Sequence, residues 1–460
     1  MTLINSISGI RGTIGGIPGN SMTPFDIVRF TTAYAALLSE KRRSEEIKIV
    51  LGRDARVSGS MVEKIVSGTL MACGINVISL GLATTPTVEI AVPLENADGG
   101  IILTASHNPA EWNALKLLNH KGEFLSANDG KELLGYLKNH DFYFKNYNEL
   151  GSLTEKSHYH TIHIQKILEL DLVNVELIRK KQFRVVIDCV NSVGGTIIPE
   201  LLKELGVNEV IELYTYPDGN FPHNPEPLAE NLTEISSKVK ETGADVGFVV
   251  DPDVDRLAII NEDGSMFGEE YTLVAVADYV LNKTPGNTAS NLSSSRALKD
   301  VTEAAGHSYF ASAVGEVNVV EKMKEFKCVI GGEGNGGIIY PKIHYGRDAL
   351  VGIALFLSHL AEKELKCSEL KGQYPRYIMT KNKISLDQGI DTDVVLSNIK
   401  EHFSEFPIND IDGVKVDFPD GWIHLRKSNT EPIIRIYTEH RNKNGANELT
   451  DKVLRIIKKL

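Results

Sequence analysis

FRVVIDCVNSVGGTIIPELLKELGVNEVIELY, Phe183–Tyr214, carries the pattern that decides the fold. A β-branched run leads into a glycine-containing loop, a helical segment that ends at Gly206, and a second strand-like run. This order is typical of a strand–helix–strand unit built on parallel strands. The same order begins at Ile47 and again near Ala289. The sequence therefore predicts three related α/β modules, whose ligand sites should lie in loops at the carboxyl ends of strands.

The chain of 460 residues is too long for a single hydrophobic core. Polar segments near residue 150, at residues 261–264 and near residue 370 interrupt the α/β pattern, and the last part of the chain has a shorter α+β pattern. We expect an α/β protein with three similar mixed-sheet domains and a smaller α+β C-terminal domain. The expected bounds are 1–150, 151–262, 263–372 and 373–460.

Composition excludes several classes of protein. Lys and Arg total 49 against 61 Asp and Glu, and this net charge of −12 argues against a general nucleic-acid binder. The four cysteines lie far apart without a CxxC pair, so neither a disulfide framework nor a cysteine zinc site is indicated. The N-terminus does not resemble a secretory signal, and the longest apolar helical segment, near Ala349–Ala361, is too short to span a bilayer. We expect a cytoplasmic protein without a membrane partner.

Two motifs follow strand-like runs and contain reactive or charged groups. TASHNP, Thr104–Pro109, places Ser106 directly after a predicted buried strand, and Lys116 follows ten residues later. DPDVDR, Asp251–Arg256, places carboxylates at i, i+2 and i+4, a spacing that lets extended residues converge on one hard cation such as Mg²⁺. The alternative is a solvated acidic turn. Three crowded carboxylates beside a buried strand would repel one another without a counterion, which favours a metal site.

Two further motifs offer hydrogen-bonding groups. RKSNTEP, Arg426–Pro432, together with Arg435 supplies guanidinium, hydroxyl and amide donors that suit phosphate oxygens, although a polar surface turn is the alternative. GGEGNGG, Gly331–Gly337, matches GxGxxG, but Pro341 stands where a dinucleotide motif needs a helix to begin. We interpret GGEGNGG as a loop whose Glu333 and Asn335 are available to ligand hydroxyls.

Two other motifs carry weaker signals. HYHTIH, His158–His163, has three histidines within six residues, but the motif itself contains no carboxylate or cysteine. We predict ordinary surface histidines there rather than a metal site. SGIRG places Arg11 between glycines, where an arginine is often merely solvated.

In chain order, SGIRG, TASHNP, DPDVDR, GGEGNGG and RKSNTEP resemble the five signatures of the α-D-phosphohexomutase family, which includes phosphoglucomutases, phosphomannomutases and phosphoglucosamine mutases. The resemblance extends over nearly the whole chain. It also covers GRDARVSG (Gly52–Gly59), VGEVNVVEKMKE (Val314–Glu325) and GRDALVGIALFL (Gly346–Leu357). It implies four domains around a central cleft, to which each domain contributes a loop.

The resemblance also implies the roles of individual residues. Ser106 would carry a phosphoryl group and pass it to the sugar, and Mg²⁺ would be bound by that phosphate together with Asp251, Asp253 and Asp255. Lys116 and Arg11 would stabilise charge or move protons, and His107 would orient groups around the serine. The expected substrate-binding residues are Arg256, Glu333, Asn335, Arg426, Ser428, Asn429, Thr430 and Arg435.

The implied activity is the interconversion of hexose 6-phosphate and hexose 1-phosphate, with a hexose 1,6-bisphosphate as intermediate and activator. Many family members have Ser-Gly-His in the sugar loop, where this chain has Asn335, Gly336 and Gly337. That form resembles archaeal-type phosphoglucosamine mutases and favours glucosamine phosphate. The SNT of RKSNTEP is instead common in phosphoglucomutases and phosphomannomutases.

Two other functions stay open at this point: a sugar-phosphate phosphatase and a catalytically silent sugar-phosphate sensor. The expected partners are small sugar phosphates, with no nucleic acid and no membrane, and the chain is expected to be a monomer or a small homo-oligomer.

Overall fold

The computed structural model describes residues 2–6, 9–41, 46–139, 142–385, 391–427 and 433–458. The chain forms two compact units, Met1–Thr272 with Gly336–Ser368, and Leu273–Asn335 with Glu369–Leu460. Each unit is described by itself below.

The strands, numbered in chain order, are β1 (Leu3–Ser6), β2 (Gly9–Thr13), β3 (Lys48–Arg53), β4 (Asn76–Leu82), β5 (Gly99–Leu103), β6 (Trp112–Asn119), β7 (Leu153–Glu155), β8 (Arg184–Asp188), β9 (Glu209–Leu213), β10 (Val246–Val250), β11 (Leu257–Asn261), β12 (Thr288–Asn291), β13 (Tyr309–Ser312), β14 (Ile330–Glu333), β15 (Gly337–Ile339), β16 (Ile378–Ser385), β17 (Ile408–Asn409), β18 (Val414–Phe418), β19 (Gly421–Lys427) and β20 (Ile433–His440).

The α-helices are α1 (Pro24–Glu40), α2 (Gly59–Ala72), α3 (Thr85–Leu94), α4 (Ala127–Asn139), α5 (Tyr159–Leu168), α6 (Val175–Lys181), α7 (Gly194–Glu204), α8 (Thr233–Thr242), α9 (Glu269–Lys283), α10 (Arg296–Ala304), α11 (Glu316–Glu325), α12 (Ala349–Lys363), α13 (Cys367–Lys371), α14 (Thr392–His402) and α15 (Lys443–Ile457). A short 3₁₀ helix spans Ala229–Asn231.

The first unit contains two mixed sheets. The larger has the strand order β1-β2-β6-β5-β3-β4-β7, and the smaller has the order β11-β10-β8-β9. Strands β5 and β10 are buried along their whole length, as expected for central strands covered on both faces. Each is followed by one of the two motifs from which the site is built, TASHNP after β5 and DPDVDR after β10.

Helix α12 also belongs to the first unit. Its residues from Ala349 to Ala361 are all buried. This burial explains why the helix carries apolar residues on every side and not on one face alone. Asp348 caps its N-terminus by accepting hydrogen bonds from the backbone N–H groups of Leu350 (2.8 Å) and Val351 (3.3 Å). This cap fixes the chain immediately before the helix, where Arg347 lies.

The second unit contains a parallel arrangement of β12 between β13 and β14 and an antiparallel sheet of order β16-β20-β19-β18-β17. Helices α14 and α15 pack on the antiparallel sheet. Within this unit, the buried Lys415 donates to the carbonyl of Leu292 at 2.9 Å, and Ser293 is hydrogen-bonded to His424 at 2.9 Å.

The three predicted modules are present. The strands of each pair run parallel and flank one helix: β3 and β4 flank α2, β8 and β9 flank α7, and β12 and β13 flank α10. Three α/β domains and a smaller C-terminal domain are therefore confirmed, whereas the bounds at 150, 262 and 372 stay a prediction. No helix among the described residues is long and apolar enough to cross a membrane.

Candidate active site

The loop after β5 presents the hydroxyl of Ser106. Ser106 has a φ of 51°, a left-handed conformation that is uncommon for a residue with a side chain, and it is 3% exposed. Its backbone N–H donates to Thr104 Oγ1 at 3.0 Å, and its Oγ donates to Asp251 Oδ2 at 2.7 Å. A strained backbone at a serine that faces a carboxylate is consistent with a functional site.

Arg56 holds this loop in place. Its guanidinium donates to the carbonyl oxygens of Ser106, Asn108 and Pro109, each at 2.6 Å, and its Nε donates to Asp54 Oδ2 at 3.1 Å. Arg56 is 1% exposed, so its guanidinium has lost its hydrating water, and these acceptors take the place of that water. The conformation of TASHNP therefore depends on a side chain from the preceding module.

Asp251, Asp253 and Asp255 are fully buried and offer carboxylate oxygens within 4.8 Å of one another. The segment is a turn in which Val254 has a φ of 63°, so the carboxylates converge through the turn and not through the extended alternation that we expected. Asp251 Oδ1 accepts the backbone N–H groups of Asp255 and Arg256, both at 3.1 Å. This stabilises the turn and fixes the first carboxylate.

The triad suits a hard divalent cation. Asp253 Oδ1 and Asp255 Oδ1 are buried and accept no hydrogen bond from the described residues. A buried carboxylate oxygen without a donor is costly, and a cation supplies the missing interaction. Mg²⁺ prefers such oxygen ligands. The donor set and the two oxygens without donors therefore fit the metal that the sequence predicts.

Three cationic groups reach the triad. Lys116 Nζ lies 2.6 Å from Asp253 Oδ2 and 3.2 Å from Asp255 Oδ2. Arg347 donates to Asp255 Oδ2 at 2.6 Å, and Arg256 Nε lies 3.9 Å from Asp255 Oδ1. These three positive charges equal the three carboxylates in number, although Arg256 lies farther from them than the other two groups.

The pKa values in the site follow from this arrangement. Burial lowers the pKa of Lys116, but the carboxylates of Asp253 and Asp255 outweigh it and raise the pKa above its ordinary value. Burial and the two neighbouring carboxylates raise the pKa of Asp251 well above its ordinary range. For Asp255, burial is outweighed by Arg347, Lys116 and Arg256, which together lower the pKa. Lys116 is therefore an ammonium ion in this structure.

His107 and Arg11 lie beside the serine. His107 Nδ1 is 3.4 Å from Ser106 Oγ, and burial together with Arg256 and Arg11 lowers the pKa of His107 well below its ordinary value. Its imidazole is therefore neutral near pH 7. Arg11 donates to Asn108 Oδ1 at 2.9 Å, so it is a partner of the loop rather than a merely solvated side chain.

In the second unit, Glu333 ends β14 and is 5% exposed. Its Oε1 accepts from Asn291 Nδ2 at 2.8 Å and from the backbone N–H of Gly315 at 3.1 Å. Asn335 is half-buried in the turn that follows. The carboxylate of Glu333 is thus held in a defined orientation at the end of a strand.

Arg426 and Arg435 are directly paired across strands β19 and β20, and Lys383 on β16 is the register partner of Arg435 on the other side. The three cationic side chains are neighbours across adjacent strands of the antiparallel sheet. Like charges on directly paired residues destabilise a sheet. Arg426 Nε is buried without a hydrogen-bond partner among the described residues. The predicted residues Ser428, Asn429 and Thr430 lie outside the described residues.

Sequence reasoning missed Arg56, Arg347 and Thr85, whose Oγ1 donates to Asp253 Oδ2 at 2.6 Å. The recurrence of Gly-Arg-Asp at residues 52–54 and 346–348 was an available signal for Arg347, but not for Arg56 or Thr85. The prediction of surface histidines was wrong for His163. That side chain is fully buried and bonded to Asp348, a residue distant in the sequence.

Comparison with known proteins identifies the family. Models of domains I, II and III and of the C-terminal domain of phosphoglucomutase/phosphomannomutase match residues 4–144, 161–264, 268–377 and 382–456. This chain belongs to the phosphoglucomutase/phosphomannomutase family. The family and the mutase class predicted from the ordered motifs are therefore confirmed.

Individual members of the family are similar to this chain over nearly their full length. A phosphoglucomutase/phosphomannomutase of Thermococcus kodakarensis is 35% identical over 454 residues, covering 97% of this chain and 98% of the relative. A probable phosphoglucosamine mutase of Methanopyrus kandleri is 32% identical, covering 98% and 97%. The solved structure of a family protein from Burkholderia thailandensis has a TM-score of 0.84 at 25% identity and covers 99% and 98%.

Proposed function

We propose that this chain converts glucosamine 6-phosphate into glucosamine 1-phosphate, using Ser106 as the phosphoryl carrier, Mg²⁺ as the metal and a hexose 1,6-bisphosphate as intermediate and activator. The observation that carries the proposal is the contact of Ser106 Oγ with Asp251 at 2.7 Å, in a triad whose other two members each have an oxygen without a donor. A serine positioned beside a cation site is suited to phosphoryl transfer, which depends on alignment and charge neutralisation.

Phospho-Ser106 donates its phosphoryl group to the free hydroxyl of the sugar phosphate. The Oγ–P bond breaks as the bond from phosphorus to the sugar oxygen forms, and a proton leaves that oxygen. Oγ takes up a proton as it leaves phosphorus. The sugar bisphosphate then turns so that its other phosphate faces Ser106. The bond from that phosphorus to its sugar oxygen breaks as the Oγ–P bond forms again, Oγ loses its proton, and the released sugar oxygen gains one. A bound Mg²⁺ would neutralise charge on the transferred group.

Lys116 and His107 are assigned different roles in the transfer. Lys116 is an ammonium ion held by Asp253 and Asp255, so it stabilises negative charge that develops on the transferring oxygens. The Nδ1 atom of His107 is 3.4 Å from Ser106 Oγ, and we assign to His107 the acceptance of the sugar hydroxyl proton on this position alone. The sugar loop of this chain lacks the histidine that many family members have there, and His107 would supply a proton acceptor in its absence.

Two groups of residues in the second unit are assigned to the substrate. Glu333 and Asn335 would contact sugar hydroxyl or amino groups, and the oriented carboxylate of Glu333 suits a 2-ammonium group. Arg426 and Arg435 would bind the phosphate that is not reacting. An anion between them would relieve the repulsion of the paired guanidinium groups.

The substrate preference is tested with three sugar phosphates. Purified phosphorylated enzyme receives glucosamine 6-phosphate, glucose 6-phosphate or mannose 6-phosphate, with Mg²⁺ and a matching bisphosphate, and product formation is followed by phosphorus NMR. We expect the largest kcat/KM for glucosamine 6-phosphate, because that ratio ranks transition-state binding. A larger value for glucose or mannose 6-phosphate would establish the second candidate, which the name of the Thermococcus relative favours.

The same experiment separates mutase from phosphatase and sensor. Continuous release of inorganic phosphate without formation of the sugar 1-phosphate would show a phosphatase. A sensor would show neither turnover nor, by mass spectrometry, any phosphate on Ser106. Ser106→Ala should retain the fold, as judged by circular dichroism, and lose turnover and covalent phosphate together.

A further inference from the structure

A second cluster of ionisable side chains lies in the first unit, apart from the serine loop. His163 and Asp348 have fully buried side chains, and the side chain of His344 is 10% exposed. His163 comes from α5, His344 from the segment before α12, and Asp348 is the N-cap of that helix. The proposed mutase mechanism uses none of these three residues.

The two imidazoles converge on one carboxylate oxygen. His163 Nε2 lies 2.9 Å and His344 Nε2 lies 3.3 Å from Asp348 Oδ2, and the two rings are nearly perpendicular, at 86°. One ligand atom from each residue lies within 4.8 Å of the others. A tetrahedral zinc ion with bonds of about 2.0–2.2 Å separates its nitrogen and oxygen ligands by roughly 3.3 Å. The separation at His344 is thus close to that of a zinc site, whereas the separation at His163 is shorter and would have to widen by about 0.4 Å when the ion binds.

The opposite ring nitrogen of His163 is hydrogen-bonded, and that of His344 lies beside a carboxylate without forming a hydrogen bond to it in this geometry. Glu89 Oε2 lies 3.2 Å from His344 Nδ1, and Thr87 Oγ1 lies 3.0 Å from His163 Nδ1. Asp348 Oδ1 is occupied by the cap of α12, which leaves Oδ2 facing the histidines. A carboxylate or hydroxyl behind each ligating histidine is the usual second layer of a protein zinc site, where it fixes the tautomer and orients the ring.

We propose that His163, His344 and Asp348 bind a zinc ion, with Glu89 and Thr87 orienting the two imidazoles and a water molecule completing the coordination. Two neutral imidazoles, the carboxylates of Asp348 and Glu89, and Zn²⁺ have a net charge of zero. Charge balance of this kind suits a site that is almost fully buried. Nitrogen ligands distinguish it from the all-oxygen triad at Asp251, which suits Mg²⁺.

The competing account is an ion-pair network without metal. Burial lowers the pKa of His344, but the nearby carboxylates of Asp348 and Glu89 outweigh burial and raise the pKa to about 10. A proton on His344 would then satisfy both carboxylates. The two accounts differ in one measurable quantity, which is the zinc content of the folded chain.

The site would tie together α3, α5 and the start of α12. Residue Asp348 directly follows Arg347, whose guanidinium contacts Asp255 in the metal triad. A zinc ion would therefore stabilise the segment that supplies Arg347. The proposal is independent of which sugar phosphate the enzyme prefers.

The test begins with the intact wild-type protein. It is unfolded in denaturant that contains a chelator, refolded with Zn²⁺, and dialysed against zinc-free buffer that contains millimolar Mg²⁺ to occupy the aspartate triad. We expect about one zinc ion per chain by plasma mass spectrometry. Refolding with Co²⁺ should give the intense visible absorption of a four-coordinate ion, and X-ray absorption of the zinc form should show imidazole scattering. Absence of stoichiometric zinc and of the Co²⁺ absorption would overturn the proposal in favour of the ion-pair network.

Variants locate the ion. His163→Gln and His344→Gln should each reduce bound zinc at least tenfold, whereas His158→Ala, an exposed histidine at the start of the same helix, should retain it. Asp253→Asn should also retain zinc. Loss of zinc in Asp253→Asn with retention in the two Gln variants would place the ion at the triad and overturn the proposal. If the Gln variants do not fold, X-ray absorption of the wild-type zinc form still decides whether histidine is a ligand.

Discussion

Arg347 donates a hydrogen bond to Asp255 across 2.6 Å, and both side chains are buried. Asp255 also faces Lys116 and offers an oxygen that accepts no hydrogen bond from the described residues. Arg347 therefore orients a carboxylate whose other side is open to a metal ion. It touches the site through Asp255, so we regard it as a positioning residue.

Replacing Arg347 by Met should raise the Mg²⁺ concentration needed for half-maximal activity and lower kcat by roughly 10- to 100-fold, because Asp255 loses its orienting partner. Activity measured across a Mg²⁺ titration checks this. Arg53→Met is the matched control, since Arg53 pairs with Glu63 away from the triad. An unchanged Mg²⁺ requirement in Arg347→Met would mean that the arginine only balances charge.

Arg56→Lys should lower both activity and thermal stability. An ammonium group cannot reach the three loop carbonyls and Asp54 together, so buried acceptors would be left without donors, at about 1–3 kcal/mol each. Thermal unfolding and kcat, measured on the same preparation, check the prediction. A variant with wild-type kcat would show that TASHNP keeps its conformation without this arginine.

Arg426→Ala should raise KM for the sugar phosphate by about tenfold or more while leaving the free energy of unfolding unchanged or slightly higher. The reason is that Arg426 faces Arg435 directly, and removal of one guanidinium relieves like-charge repulsion in the unliganded protein. Steady-state kinetics and denaturant unfolding test the two effects. A large loss of stability with an unchanged KM would indicate a structural arginine and no phosphate site.

Mg²⁺ should stabilise the protein as well as activate it. The buried Oδ1 atoms of Asp253 and Asp255 accept no hydrogen bond from the described residues, so an ion that binds only the folded chain raises the melting temperature by mass action. We expect an upward shift with millimolar Mg²⁺ in the wild type and a smaller one in Asp251→Asn. Equal shifts in both proteins would place the stabilising ion elsewhere.

His107→Gln should lower kcat more than it changes KM, if the neutral imidazole accepts the proton of the sugar hydroxyl. The structural basis is the position of its Nδ1, 3.4 Å from Ser106 Oγ. Presteady-state transfer from phospho-Ser106, followed by quenched flow, measures the chemical step directly. An unchanged transfer rate would assign the proton to another group.

The local pattern of the sequence determined the modules and most of the reactive residues. Strand, glycine loop and helix follow one another in a fixed order, so the three parallel units could be predicted from periodicity, and the motifs at the ends of β5 and β10 supplied Ser106 and the aspartates. The domain bounds and the individual roles of the site residues stay predictions. Family membership followed from the joint order of five motifs, a property that the sequence alone contains.

Only the tertiary structure decided which distant side chains meet. Arg56 and Ser106 are 50 residues apart, Asp255 and Arg347 are 92 apart, and His163 and Asp348 are 185 apart. Sequence reasoning placed His163 on the surface because its motif contains no carboxylate, yet the fold buries it against Asp348. Periodicity reports which residues share a face of one element, whereas the pairing of buried charges depends on how the elements pack, because each buried charge needs a partner that any part of the chain can supply.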